Sequence, residues 1–142
     1  MLSRDLARAL AISLAIGMAP SIAFADGGYT SQPLIATGKT IMGEPIIYPT
    51  TGPALITART STFAPGATTI LHQHGVPLFT YILEGELTID YGSSGVKTYK
   101  KGEAYVEAMH VTHMGKNLGT VPVVILAVYI GAEGAENTIP VQ

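Results

Sequence analysis

Beyond residue 45, short runs of aliphatic, β-branched and aromatic residues alternate with polar positions at a period near two, and Gly, Pro, Asn or Ser separates each run from the next. That period places successive side chains on opposite faces, as in strands, and the spacers supply the backbone conformations that turns need. The pattern predicts strands at Ile46–Tyr48, Leu55–Phe63, Thr68–His74, Leu78–Leu83, Leu87–Tyr91, Val96–Tyr99, Glu103–Glu107, Thr112–Asn117 and Val123–Ile130. No window of a dozen residues past the N-terminal segment keeps an apolar i, i+3, i+4, i+7 pattern without a Gly or Pro interrupting it, which argues against a helical domain. The run Val123–Ile130 is apolar on both faces and so predicts a strand covered on both sides, by the interior and by a second layer or a second copy of the chain. The expected fold is all-β, a small antiparallel β-barrel or jelly roll in which closure removes raw strand edges.

The first residues follow another pattern. Arg4 and Arg8 precede an apolar stretch from Leu10 to Ala19, then Pro20 and the small-residue pattern Ala23-Phe24-Ala25 before Asp26. This is the layout of a secretory signal peptide, with cleavage expected after Ala25, and the apolar stretch is shorter than the roughly 20 residues a membrane span needs. The expected organisation is a signal peptide over 1–25, an N-terminal arm over 26–45 and one domain over 46–142. The mature chain is then periplasmic or secreted, with no stable membrane anchor. Its net charge falls from −2 to about −3, and Lys39, Arg59, Lys97, Lys100, Lys101 and Lys116 are scattered, so a nucleic-acid partner lacks an electrostatic footprint. There is no cysteine, which excludes disulfides, thiolate metal sites and a thiol nucleophile.

All four histidines fall in two short stretches, His72-Gln73-His74 and His110-Val111-Thr112-His113. In a strand, i and i+2 project from one face, so His72 and His74 present two imidazoles side by side at a spacing suited to one metal ion. An exposed strand face explains a lone His-x-His equally well; the second cluster tips the reading toward a metal.

These residues carry a family resemblance. Gly66, five residues, His72-Gln73-His74, three residues, Leu78, six residues and Gly85 resembles the first cupin motif, and Gly102, five residues, Ala108, one residue, His110, two residues, His113, three residues and Asn117 resembles the second. The resemblance implies a single-domain cupin with His72, His74 and His113 as ligands to one divalent transition metal, iron favoured and manganese, nickel, copper or zinc open. The sequence departs from the family pattern where a glutamate ligand is usual, having Leu78, or Phe79 if the loop is counted one residue longer. Ala108 and His110 replace the common proline and glycine of the second motif. Glu107, a carboxylate in an apolar run, and His110, on the turn before His113, are the two candidates for an additional ligand or for a neighbour of the ligands. Leu78, Phe79, Ile82, Val106 and Met109 are expected to form an apolar pocket wall around a small-molecule ligand.

No nucleophile elbow, phosphate-binding loop or zinc-protease helix motif occurs. The resemblance leaves three uses open: a metal-dependent oxidoreductase of dioxygenase type acting on a small oxygen- or sulfur-bearing compound, a non-catalytic exported module that binds metal or a small ligand, and a barrel without its metal that serves as a structural or interaction domain. A homodimer is expected from the doubly apolar last strand.

Overall fold

The computed structural model describes residues 28–142; the expected signal peptide and its cleavage position lie outside them. The compact unit Pro33–Gln142 is built from nine strands: β1 (Ala54–Phe63), β2 (His72–Gln73), β3 (Leu78–Glu84), β4 (Glu86–Asp90), β5 (Val96–Lys100), β6 (Ala104–Val106), β7 (Met114–Lys116), β8 (Val123–Ala132) and β9 (Ile139–Pro140). Among the described residues there is no α-helix, only a single turn of 3₁₀ helix at Gly92–Ser94. The all-β expectation therefore holds.

Four strands form the larger sheet in the order β1-β8-β3-β6, three form a second in the order β5-β4-β7, and β2 pairs with β9. All these pairings are antiparallel. The longest runs from Ala54 opposite Ala132 to Phe63 opposite Val123. The sheets do not close into one hydrogen-bonded barrel. Isolated bridges at Thr68↔Lys116 and His72↔His113 join the segment around β2 to the segment around β7, and the jelly-roll arrangement of the expected fold class remains.

Alternation along β8 shows why the sequence folds this way. Val123, Ile125, Ala127 and Tyr129 are buried, while Val124, Leu126, Val128 and Ile130 between them are half-buried. The inward set joins Ile82, Leu87, Ile89 and Tyr105 in the core. On the outer face, Val128 and Ile130 share a groove with Phe79, Val106 and residues of the N-terminal arm, Ile35 and Ile46 among them. The arm is tied to the unit by the Ile41 N–H, which donates to the Val106 carbonyl at 2.8 Å. No strand forms at Ile46–Tyr48; flanked by Pro45 and Pro49, this segment lacks the donors for a continuous ladder and makes one bond, from Ile46 N–H to the Gly38 carbonyl. The expected strand Thr68–His74 shortens to His72–Gln73 because its remaining bonds, such as Thr69 N–H to the Gly115 carbonyl, are isolated ones. β9, two residues ending in a proline, has no periodicity from which it could be read.

Two residues of the sequence motifs turn out to hold the frame. Gly85 alone separates β3 in the larger sheet from β4 in the smaller one, at φ 75°. Asn117, 1 % exposed, donates through Nδ2 to the carbonyls of Phe63 (3.0 Å) and Val121 (2.8 Å) and accepts through Oδ1 from Gly119 N–H (3.0 Å). It ties the end of β1 to the approach to β8. Asn117→Leu keeps the volume and removes all three bonds. Water reaches the exposed Gly119 and Val121 loop more readily than the Phe63 carbonyl, so the expected cost is about 2 kcal/mol, read as a lowered urea midpoint with an unchanged m-value. A midpoint equal to wild type would contradict this role.

Candidate metal centre

His72 lies on β2, His74 just after it, and His113 just before β7. The backbone bridge His72↔His113, with N–H to carbonyl bonds of 3.0 and 2.9 Å in the two directions, brings the two motifs together. One ring nitrogen from each of the three histidines lies within 4.8 Å of the other two, and the ring centroids are 4.5–5.1 Å apart. All three side chains are buried, at 7, 3 and 2 % exposure respectively.

The tautomers follow from the partners. Nδ1 of His72 faces the Ile70 carbonyl at 2.8 Å, Nδ1 of His74 the Asn137 carbonyl at 2.9 Å, and Nδ1 of His113 the Val111 carbonyl at 2.8 Å. A carbonyl only accepts, so in each neutral ring Nδ1 carries the hydrogen and Nε2 keeps its lone pair. His113 Nε2 is buried without any hydrogen-bond partner. A buried acceptor left in this way costs free energy unless something binds it, and three converging imidazole lone pairs are a donor set that a divalent transition metal fits. The site could hold such an ion.

Burial keeps these rings neutral. It lowers the pKa of His72 and of His113, and that of His74 to about 3, against the opposing pull of the backbone carbonyl partner in each case. A depressed base contributes stability that is present above its unfolded value of 6.5 and lost as pH falls towards its folded value. For His74 that window runs from about pH 6.5 to about 3. Glu107 acts oppositely: burial raises its carboxyl to about 7, so its contribution is complete below about 4.5 and lost as pH rises through 7. Three histidines outweigh one glutamate, and the metal-free protein is expected to lose stability on acidification from pH 6.5 to 4.5, at up to about 1.4 kcal/mol per pH unit for each net proton. Thermal midpoints in EDTA-treated samples check this, and a flat profile across that range would count against buried neutral rings.

Glu107 is 4 % exposed. Its Oε1 accepts from the Tyr91 hydroxyl and from Ala108 N–H, while Oε2 lies 3.8 Å from His113 Nε2. That is too long for a hydrogen bond but leaves Oε2 facing the site. Burial also raises the Tyr91 pKa, as does the neighbouring Glu107 charge, so this hydroxyl stays protonated and donates. His110 is placed elsewhere: it is exposed, and its backbone N–H donates to Glu44 Oε1 at 2.8 Å.

The cavity over the histidines has a volume of about 240 Å³ and is lined from both larger sheets. Leu78 lines it and fills the position where the family pattern has glutamate. Phe79 and Val106 correct the expected wall: strand parity turns them outward into the groove under the N-terminal arm, while Thr80, Tyr105 and Glu107 take the inward positions. Ile82 is fully buried in the core and does not line the cavity. Met109 is buried behind the site; its carbonyl accepts from His74 N–H and its N–H donates to Glu44 Oε2.

Sequence reasoning missed Glu44. Partial burial pushes its carboxyl up, but the N–H groups of His110 and Met109 and the Thr40 hydroxyl together hold it below its usual range. It thereby pins the loop leading to His113, a role that no local motif announces. Arg59 was also missed, although its i, i+2, i+4 parity with Ser61 and Phe63 on β1, all three lining the cavity, was available in the sequence.

A family model described as a cupin domain matches residues 59–129. Similar solved structures include Lactobacillus farciminis oxalate decarboxylase as a formate complex, at a TM-score of 0.51 and 21 % identity over 61 % of this chain and 26 % of that one. Bacillus subtilis oxalate decarboxylase at pH 4.6 matches with the same score, identity and share of this chain, over 23 % of its own length. A further structure of the Bacillus subtilis enzyme, described for its Mn(II) centres, matches over 24 % of its length at a TM-score of 0.51 and 21 % identity. The chain thus spans about a quarter of these proteins, and likeness at this identity concerns the fold. No curated protein sequence matches.

Proposed function

The chain belongs to the cupin domain family, and on that premise we propose that it is an exported metal-dependent oxidoreductase of dioxygenase type, with one divalent metal, iron by preference, on His72, His74 and His113. The observation that carries this reading is the buried, partnerless His113 Nε2 among three imidazoles whose Nδ1 atoms are all engaged. Three neutral ligands leave the charge of the ion uncompensated and coordination positions open, which suits a small oxygen- or sulfur-bearing ligand. When bound, a redox-active ion would supply Lewis-acid and electron-transfer chemistry there.

The chain's own residues supply the rest. Leu78, Leu87, Ile89 and Ile125 make much of the cavity wall apolar and limit bulk water. Glu107, buried with Oε2 facing His113 Nε2 at 3.8 Å, is placed to take or give a proton at Oε2, while Tyr91 and Ala108 fix its other oxygen. A carboxyl so placed favours the enzyme over a non-catalytic binder. Metal-dependent dioxygen uptake with a panel of phenolic, diketone and thiol compounds tests the reading. Uptake that disappears in Glu107→Gln and His72→Ala is expected; no uptake with any compound by the iron-loaded protein would favour the binding module.

Export and self-association are parts of the same proposal. The mature N-terminus is expected at Asp26, read by intact-mass measurement on protein from the periplasm or medium. A homodimer would cover the outer face of the larger sheet, where Ile56 is 58 % exposed beside the half-buried Ile130.

A further inference from the structure

Arg59 has no place in the chemistry described so far. It lies on the inward face of β1 with Ser61 and Phe63, and its side chain lines the cavity over the histidines. Its Nη2 donates to the Tyr129 hydroxyl at 2.6 Å, and its guanidinium carbon stands 5.0 Å from the centroid of the Tyr129 ring. Tyr129 in turn packs edge-on against His74, with centroids 5.8 Å apart. Arg59 is exposed and lines the cavity, and Tyr129 ties its guanidinium towards the ligand candidate His74. A guanidinium has five N–H donors, and among the described residues this one meets a single protein acceptor, its other donors being open to water or to a ligand. No carboxylate pairs with it among the described residues.

Apart from the histidines, the charged side chains lining the cavity are Arg59 and Glu107. They sit apart: Glu107 against His113, Arg59 against Tyr129 and so towards His74. A planar, solvent-accessible fork lining a cavity that also holds the three-histidine cluster matches a carboxylate in geometry and charge.

From this we infer that Arg59, held by Tyr129, is the anchor for a carboxylate of the substrate, so that the ligand is a small organic acid with one polar end on the metal and a carboxylate on the guanidinium. This rests on the metal reading proposed above. Two polar ends of this kind belong to a short dicarboxylate, or to a short acid with a thiol or hydroxyl at the other end.

The test uses two probes of the same shape, succinate and its monoamide succinamate, titrated calorimetrically into the zinc-loaded full-length mature protein. Zinc is chosen because it is redox-silent, and its stoichiometry is measured first. Wild type is expected to bind succinate about tenfold more tightly than succinamate, the value of a charge-assisted hydrogen bond. Arg59→Gln should erase that preference without changing zinc content, and Arg59→Lys should keep part of it. Equal preferences in wild type and Arg59→Gln, or no succinate binding by wild type, would overturn the inference. If wild type holds no zinc, the three-histidine reading fails separately. The anchor is then judged on the metal-free protein, where succinate must still bind wild type more tightly than Arg59→Gln and equal binding rejects it.

Discussion

Zinc added to the metal-free protein is expected to raise its thermal midpoint by about 10 °C, and the same addition to His113→Ala to leave the midpoint where it was. The first part follows from mass action: a ligand that binds only the folded state, at a free concentration a hundredfold above its Kd, stabilises by about 2.7 kcal/mol, and a domain of this size gains about 4 °C per kcal/mol. The second follows from geometry. His113 supplies the Nε2 that is buried without a partner, and it is the member through which the two motifs meet, by the bridge to His72. Alanine keeps the backbone bridge and deletes the ligand atom. His72 and His74 remain as a pair, too few to hold the ion at the same concentration. An equal shift in wild type and variant would move the metal elsewhere. A control at His110, which is exposed and outside the cluster, should respond as wild type does.

Gly85→Ala should destabilise the protein by about 4 kcal/mol, combining a strained backbone with a clash, each worth about 1–3 kcal/mol. At φ 75° the residue occupies the left-handed region, and a Cβ there would stand 2.7 Å from the Pro122 carbonyl oxygen and 3.1 Å from the Val123 Cα. Both neighbours are backbone at the start of β8, the strand that pairs with both β1 and β3, so neither can yield without moving the larger sheet. Natural domains have about 5–15 kcal/mol in total, so the loss would be visible as a midpoint lowered by more than 10 °C or as poor soluble yield. Gly66→Ala is the comparison: it shares a positive φ of 78° but has no atom within 4 Å of the added Cβ, so it should show the backbone strain alone. Equal losses in the two variants would mean that the close approach to β8 contributes nothing.

The contrast between these glycines shows how far the sequence could be read. Spacing marked Gly85 and Asn117 as motif positions but not what they touch, because Pro122 and Phe63 are distant in sequence. Alternation was a sound guide wherever a strand had one buried face, as in β8, and it correctly set His72 and His74 side by side. It misplaced Phe79 and Val106 because they were judged by their hydrophobicity, whereas their parity along β3 and β6 sends them outward. The same parity would have drawn Arg59 into the cavity with Ser61. Glu107 stood out as a carboxylate in an apolar run, yet its partner, Tyr91, sits sixteen positions away on the approach to a turn, where nothing local suggests it. Glu44 was hidden most completely, since it reaches the loop before His113 across more than sixty residues.

Elemental mass spectrometry on mature protein, purified without an affinity tag, decides whether three histidines on two distant motifs hold one metal ion. About one equivalent of a divalent transition metal is expected in wild type, iron by preference, with its loss in both His72→Ala and His113→Ala. Wild type without metal even after reconstitution, or metal retained in both variants, would rule out the shared site.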